Sequence, residues 1–99
     1  MGLLHGGDAA AAAAVCATAL RAAPDNVDLL TLRGVALLDC RRPRDALEPL
    51  QRAVERAPRF ARARENYGQA LLQTGRLRES MEQLQEAAKA KRAASTASR

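Results

Sequence analysis

The chain holds no tryptophan, one tyrosine (Tyr67), one phenylalanine (Phe60) and one histidine (His5) in 99 residues. Its core must therefore be aliphatic, and it has no set of aromatic platforms on which nucleic-acid bases could stack. Cys16 and Cys40 stand singly without CxxC spacing, and His5 lies far from Cys40 in sequence, so a zinc signature is absent. Both cysteines read as small hydrophobes of a reducing cytoplasm, with a disulfide as the alternative. No β-branched run is long enough to suggest strands, and no segment reaches the ~18 apolar residues that would span a bilayer. The opening "MGLLHGGDAAAAAAVCATAL" lacks a basic leading segment and places Asp8 before an alanine-rich stretch, which argues against a secretion signal. Gly6 occupies the position where myristoylation of Gly2 requires Ser or Thr. There is no glycine-rich phosphate loop after a strand, no Ser or Cys nucleophile with a matching His, and no paired carboxylates, so neither catalysis nor a cofactor is expected. Asp39 and Asp45 read as turn punctuation.

What the sequence has in abundance is alanine, 23 copies, together with charged side chains, a composition that favours helix. The formal charge of +5 is unevenly placed. Lys89, Lys91, Arg92 and Arg99 supply four charges after residue 88, whereas residues 1–88 carry 12 basic and 11 acidic side chains. The body is nearly balanced, so a general polyanion-binding surface and a nucleic-acid partner are not expected. The basic tail would have to act without aromatic neighbours.

Sliding the chain against itself by 34 residues superposes Gly34 on Gly68, Leu37 and Leu38 on Leu71 and Leu72, Leu50 on Leu84, and Ala53 on Ala87. A further 34 residues towards the N-terminus superposes Leu3 and Leu4 on Leu37 and Leu38, Ala12 on Ala46, Ala19 on Ala53, and Pro24 on Pro58. Leu30, Gly34, Leu37 and Leu38 form an i, i+4, i+7, i+8 stripe of helical period. Prolines and glycines then set boundaries: helices are expected over about 8–22, 27–39, 43–56, 60–74 and 77–92, with a turn at Gly6-Gly7 after the end of an earlier helix at Leu3–His5. Pro49 falls inside the 43–56 helix, where a kink over 45–49 with Pro49 on the outer side is expected.

The period, with Leu30, Arg33, Gly34, Leu37, Ala46, Leu50 and Pro58 in one copy and Arg64, Tyr67, Gly68, Leu71, Ser80 and Leu84 in the next, resembles the tetratricopeptide repeat. The family's Trp is absent from both copies, Leu replaces the second-helix aromatic, and Arg92 stands where the last proline would be. The resemblance implies an all-α, right-handed superhelix of antiparallel helix pairs, with a half-repeat over 1–26, repeats over 27–60 and 61–92, and a frayed tail over 93–99. It assigns Gly34 with Ala46, and Gly68 with Ser80, to close helix approach within a pair, and Ala53 and Ala87 to approach between pairs.

Such repeats commonly hold a peptide or helix of a partner protein in the concave surface lined by their first helices. The residues this implies are Asp28, Thr31, Leu32, Val35 and Asp39 in one unit and Arg62, Glu65, Asn66, Gln69 and Gln73 in the next. The dicarboxylate-clamp variety relies on Asn at the sixth position of more than one unit; here Asn66 has Leu32 as its counterpart, so acidic C-termini are not the implied ligand. The same polar residues also fit an ordinary solvated face, with Arg59, Arg62 and Arg64 either a recognition patch or partners of Glu65 and Asp28. Richness in Ala and Arg resembles high-GC bacterial proteins in which such repeats precede sulfotransferase or hydroxylase domains, so a docking or regulatory segment of a larger enzyme is the alternative reading. The register also makes residues 1–7 the end of a helix whose start would precede Met1. Faces around Val15 and Leu20, and around Leu77, Met81 and Leu84, are therefore expected to be uncovered and to favour homo-oligomers.

Overall fold

Five helices follow one another among the described residues: α1 (Gly2–Ala22), α2 (Val27–Asp39), α3 (Pro43–Arg56), α4 (Ala61–Gln73) and α5 (Leu77–Ala97). The computed structural model describes the backbone of residues 2–97 and the side chains of residues 7–94. The starts of α2 and α3 have local causes. Asn26 accepts the Leu29 N–H on its side-chain oxygen at 3.0 Å, satisfying a donor that the first turn of α2 leaves without a carbonyl. Pro43 opens α3 in the first helical turn, where its missing N–H costs nothing.

The two inter-helix turns within the repeats are built alike. After α2, Arg42 N–H donates to Leu37 O at 2.9 Å while Arg41 takes a φ of 61°; after α4, Arg76 N–H donates to Leu71 O at 2.8 Å while Gly75 takes a φ of 82°. In both, the residue closing the helix turns left-handed so that the orphan carbonyls find donors. The next helix is then pinned by an ion pair across its first turn, Arg42 Nε to Asp45 at 2.7 Å and Arg76 Nη2 to Glu79 at 2.7 Å.

Neighbouring helices pack in sequence, α1 on α2, α2 on α3, α3 on α4 and α4 on α5, with α2 also touching α4. This is a stack of antiparallel pairs, α2 with α3 and α4 with α5, in which α1 lies against α2. The core is aliphatic, with Leu30, Leu37, Leu50 and Leu71 buried among Ala36, Ala46, Ala53, Ala63 and Ala70, and Tyr67 as its aromatic member. Each of those leucines contributes roughly 1.5–3 kcal/mol by leaving water. The pairs close tightly because Gly34 has no side chain: a Cβ there would lie 2.3 Å from Cγ of Leu50. The bulk that Gly34 admits is thus Leu50, one turn beyond the Ala46 that the register suggested. At Gly68 both partners appear, Leu84 beside it and the buried Ser80 hydroxyl donating to the Gly68 carbonyl at 2.7 Å.

Several expectations are corrected. The Gly6-Gly7 turn is absent, because α1 runs unbroken from Gly2 to Ala22. In the other units the ion pair at the next helix start pins the turn; the corresponding positions here are Asp8 and Ala11, which cannot form one. Leu20 is buried rather than uncovered. It shares a face with Ala9, Ala13 and Cys16, all of them buried. Pro49 is likewise buried rather than outward, within a helix that continues to Arg56. Ala46, Pro49, Leu50 and Ala53 recur at i, i+3, i+4 and i+7, so helical geometry sends the proline inward with the rest of the stripe. α5 extends five residues past the expected end at Arg92, through an Ala-rich segment of high helix propensity, so the tail from residue 93 is helical as far as Ala97.

Candidate protein-binding surface

Eight of the ten residues expected to face a partner form two matching stripes. Asp28, Leu32, Val35 and Asp39 on α2 repeat at i, i+4, i+7 and i+11, and Arg62, Asn66, Gln69 and Gln73 on α4 lie 34 residues further on in the same order. Contact between α2 and α4 sets the stripes side by side. Asp28, Leu32, Asp39, Arg62, Gln69 and Gln73 are exposed, while Val35 and Asn66 are half-buried. The result is a surface with a short apolar floor at Leu32 and Val35 and hydrogen-bonding groups around it.

Thr31 does not belong to it. The side chain is buried and its hydroxyl donates to Val27 O at 2.8 Å, so it has neither exposure nor a spare donor to offer a partner. Thr31 lies beside Leu30 on the core-facing side of α2, one residue off the exposed stripe. Its counterpart Glu65 is half-buried and ion-paired with Lys91 at 2.5 Å, which fastens the last turns of α5 to α4. Asn66 spends one amide hydrogen on Arg62 O at 2.9 Å, leaving its oxygen as an acceptor. Arg64 serves the fold: its guanidinium donates to Pro58 O at 2.6 Å and to Gln83 at 2.8 Å, joining the α3–α4 turn to α5 at the position filled by Leu30 in the preceding unit. Neither Glu65 nor Asp28 pairs with it.

A second concavity lies on the other side of the stack, between α1 and α3, and sequence reasoning missed it. About 460 Å³ in volume, it is lined by Ala10, Ala13, Ala14 and Ala17 of α1, by Arg33, Leu37 and Cys40, and by Arg42, Arg44, Asp45, Glu48 and Pro49. None of the eight stripe residues borders it, nor does Thr31 or Glu65. The available signal was a register comparison: Arg33 stands where the next unit has the buried Tyr67, and α1 lines the concavity with alanines. Burial pushes the Tyr67 phenol above its ordinary pKa, an effect that the nearby Arg76 partly opposes.

Both cysteines are free, Cys16 buried and Cys40 half-buried. No cluster of potential metal ligands occurs among the described residues, and no helix among them is long and apolar enough to cross a membrane.

A family model described as tetratricopeptide repeat matches residues 31–97. No curated protein shows significant similarity to the chain. Among solved structures, one titled MamA MSR-1 C2 superposes with a TM-score of 0.80 over 94% of this chain at 19% identity. That match takes in 55% of the other chain, so the present sequence spans little more than half its length. At that identity the likeness concerns the fold.

Proposed function

Because the chain belongs to the tetratricopeptide repeat family, whose members generally serve as protein-interaction or scaffolding modules, we propose that the paired stripes on α2 and α4 hold a peptide or helix of a partner protein. The observation that carries this reading is the apolar floor: Leu32 is 43% exposed at the centre of a polar stripe, with Val35 one turn along. An exposed leucine beside Asn66, Gln69 and Gln73 gives a partner apolar area to cover and donors and acceptors to align it. The charged members, Asp28, Asp39 and Arg62, stand at the ends of the stripes, so recognition around Leu32 relies on shape and hydrogen bonds, and binding changes little with salt. The module acts without catalysis and without a cofactor. Affinity capture with the intact chain and with a Leu32→Arg, Asn66→Ala double variant tests the reading. Partners retained by the first and lost by the second support it; identical partner lists from a folded variant remove the surface from consideration.

A second reading, self-association, is favoured by a comparison internal to the chain. α4 covers the face of α3 on which Leu50 is 0% exposed, whereas the equivalent Leu84 on α5 is 43% exposed, with Leu77 at 58% and Met81 at 61%. An uncovered stripe of this kind is what a second copy would bury. Sedimentation equilibrium at tens of micromolar, a range in which weak dimers of this sort form, distinguishes a dimer from a cooperatively folded monomer. A Met81→Glu, Leu84→Glu variant should dissociate the dimer, and a wild-type monomer throughout the range defeats the reading.

A further inference from the structure

The trough between α1 and α3 continues into a smaller recess that shares Ala17, Arg33, Glu48 and Pro49 with it and adds Arg21 and Arg52. Two of the lining arginines are already neutralised, Arg42 by Asp45 at 2.7 Å and Arg52 by Asp25 at 3.1 Å. The remainder do not balance. Arg21, Arg33 and Arg44 face the single acid Glu48, and none of these four has an ion-pair or hydrogen-bond partner among the described residues. In a body whose first 88 residues are nearly neutral, this is a local excess of positive charge in a concave setting.

The walls narrow the choice of ligand. α1 presents Ala10, Ala13, Ala14 and Ala17, residues that let another backbone come close, and Leu37 and Pro49 supply apolar surface on the facing side. Arg33 is half-buried in the middle, at the register position where Tyr67 fills the corresponding space in the next unit. A half-desolvated guanidinium with no partner favours a carboxylate that can approach it in a planar, two-pronged manner. Glu48 interrupts the positive lining, which disfavours a uniformly charged phosphate chain, and the trough holds no aromatic ring for a base to stack on.

We propose that this trough is a second binding site, separate from the α2–α4 surface, and that its ligand is an acidic, alanine-rich helical segment of a protein, with a carboxylate set against Arg33 and a second near Arg44. The test is fluorescence anisotropy with the full chain and a labelled fifteen-residue helical peptide of alanine and glutamate. At low salt the peptide should bind with a Kd on the order of tens of micromolar. Arg33→Gln and Arg44→Gln should each weaken it about fourfold and together about tenfold, as expected for partly exposed charge pairs. Arg62→Gln on the other face, and Lys91→Gln on α5, should leave it within about twofold of wild type. Arg44 is exposed, so its variant keeps the test valid if the Arg33 change disturbs folding. No binding, or an equal loss with Arg62→Gln or Lys91→Gln, overturns the site. Tighter, Arg33-dependent binding of a labelled fifteen-nucleotide oligothymidylate overturns the choice of ligand.

Discussion

Gly34 and Leu50 occupy one space: the leucine lies where a side chain at residue 34 would have to be, its Cγ 2.3 Å from the position of an ideal Cβ and its whole side chain sealed from solvent. The equivalent pair, Gly68 and Leu84, is looser, at 2.9 Å and with the leucine 43% exposed. Alanine substitution should therefore separate two glycines that look the same in sequence. Gly34→Ala gains about 1 kcal/mol of helix propensity but forces overpacking that costs about 1–3 kcal/mol, more here because Leu50 has nowhere to turn. Gly68→Ala should fall within about 1 kcal/mol of wild type, since Leu84 can rotate towards solvent. Urea denaturation followed by circular dichroism checks the order, and a less stable Gly68→Ala would contradict it.

Arg41 carries a left-handed backbone, φ 61°, at the turn position that Gly75 fills in the next unit. A side chain in that region is unfavourable by roughly 1–2 kcal/mol, whereas glycine adopts it freely. Arg41 is exposed, so Arg41→Gly loses little packing and should raise stability by about 1 kcal/mol. Gly75→Ala should lower it by a similar amount. Thermal unfolding of the two variants provides the comparison.

Pro49 has no N–H to give to the Asp45 carbonyl, the partner it would have in a regular helix. An interior proline costs about 3 kcal/mol, and its buried ring offsets part of that through contact. Pro49→Ala should then stabilise the chain by about 1–2 kcal/mol while enlarging the trough beside α1. A fall in the urea midpoint would mean that the ring's packing outweighs the missing hydrogen bond.

Tyr67 has its pKa raised above the ordinary 10.0 by burial. Its neutral phenol is favoured in the folded state, so the contribution is fully present below the unfolded pKa and is lost as pH rises through the folded one. As pH rises from about 9 through 10 and beyond, the wild-type urea midpoint should fall more steeply than that of Tyr67→Phe, which has no phenol to ionise. Lysines that titrate in the same range affect both proteins and cancel in the difference. Parallel slopes would show that the phenolate is as well solvated folded as unfolded.

The architecture was legible because it depends on short-range regularities. Apolar residues at helical spacing, prolines and a glycine at helix ends, and a 34-residue register specify α2, α3 and the start of α5 almost to the residue. Each boundary depends on the few residues around it. The stripes on α2 and α4 followed from the same periodicity, because residues 34 apart in stacked units present the same face.

Other features needed the packed chain. Gly6-Gly7 is compatible with a turn or a helix, and the folded chain takes it as helix, with α1 unbroken from Gly2 to Ala22. Thr31 and Leu32 are adjacent in sequence, yet one is buried and the other open, since which residues of a helix meet a neighbour depends on where that neighbour lies. Leu50 and Leu84 are the same residue at the same register, each packed against the glycine of its own pair; α4 also packs on α3 and the first is core, whereas among the described residues no further helix packs on α5 and the second stays at the surface. The trough is of the same kind. Alanines on α1 and arginines on α1, α2 and α3 are unremarkable one by one, and they become a lined concavity only when α1 and α3 stand apart across α2. Periodicity is a property of neighbouring residues, whereas burial, clefts and charge imbalance belong to distances between helices, which the chain settles only by packing.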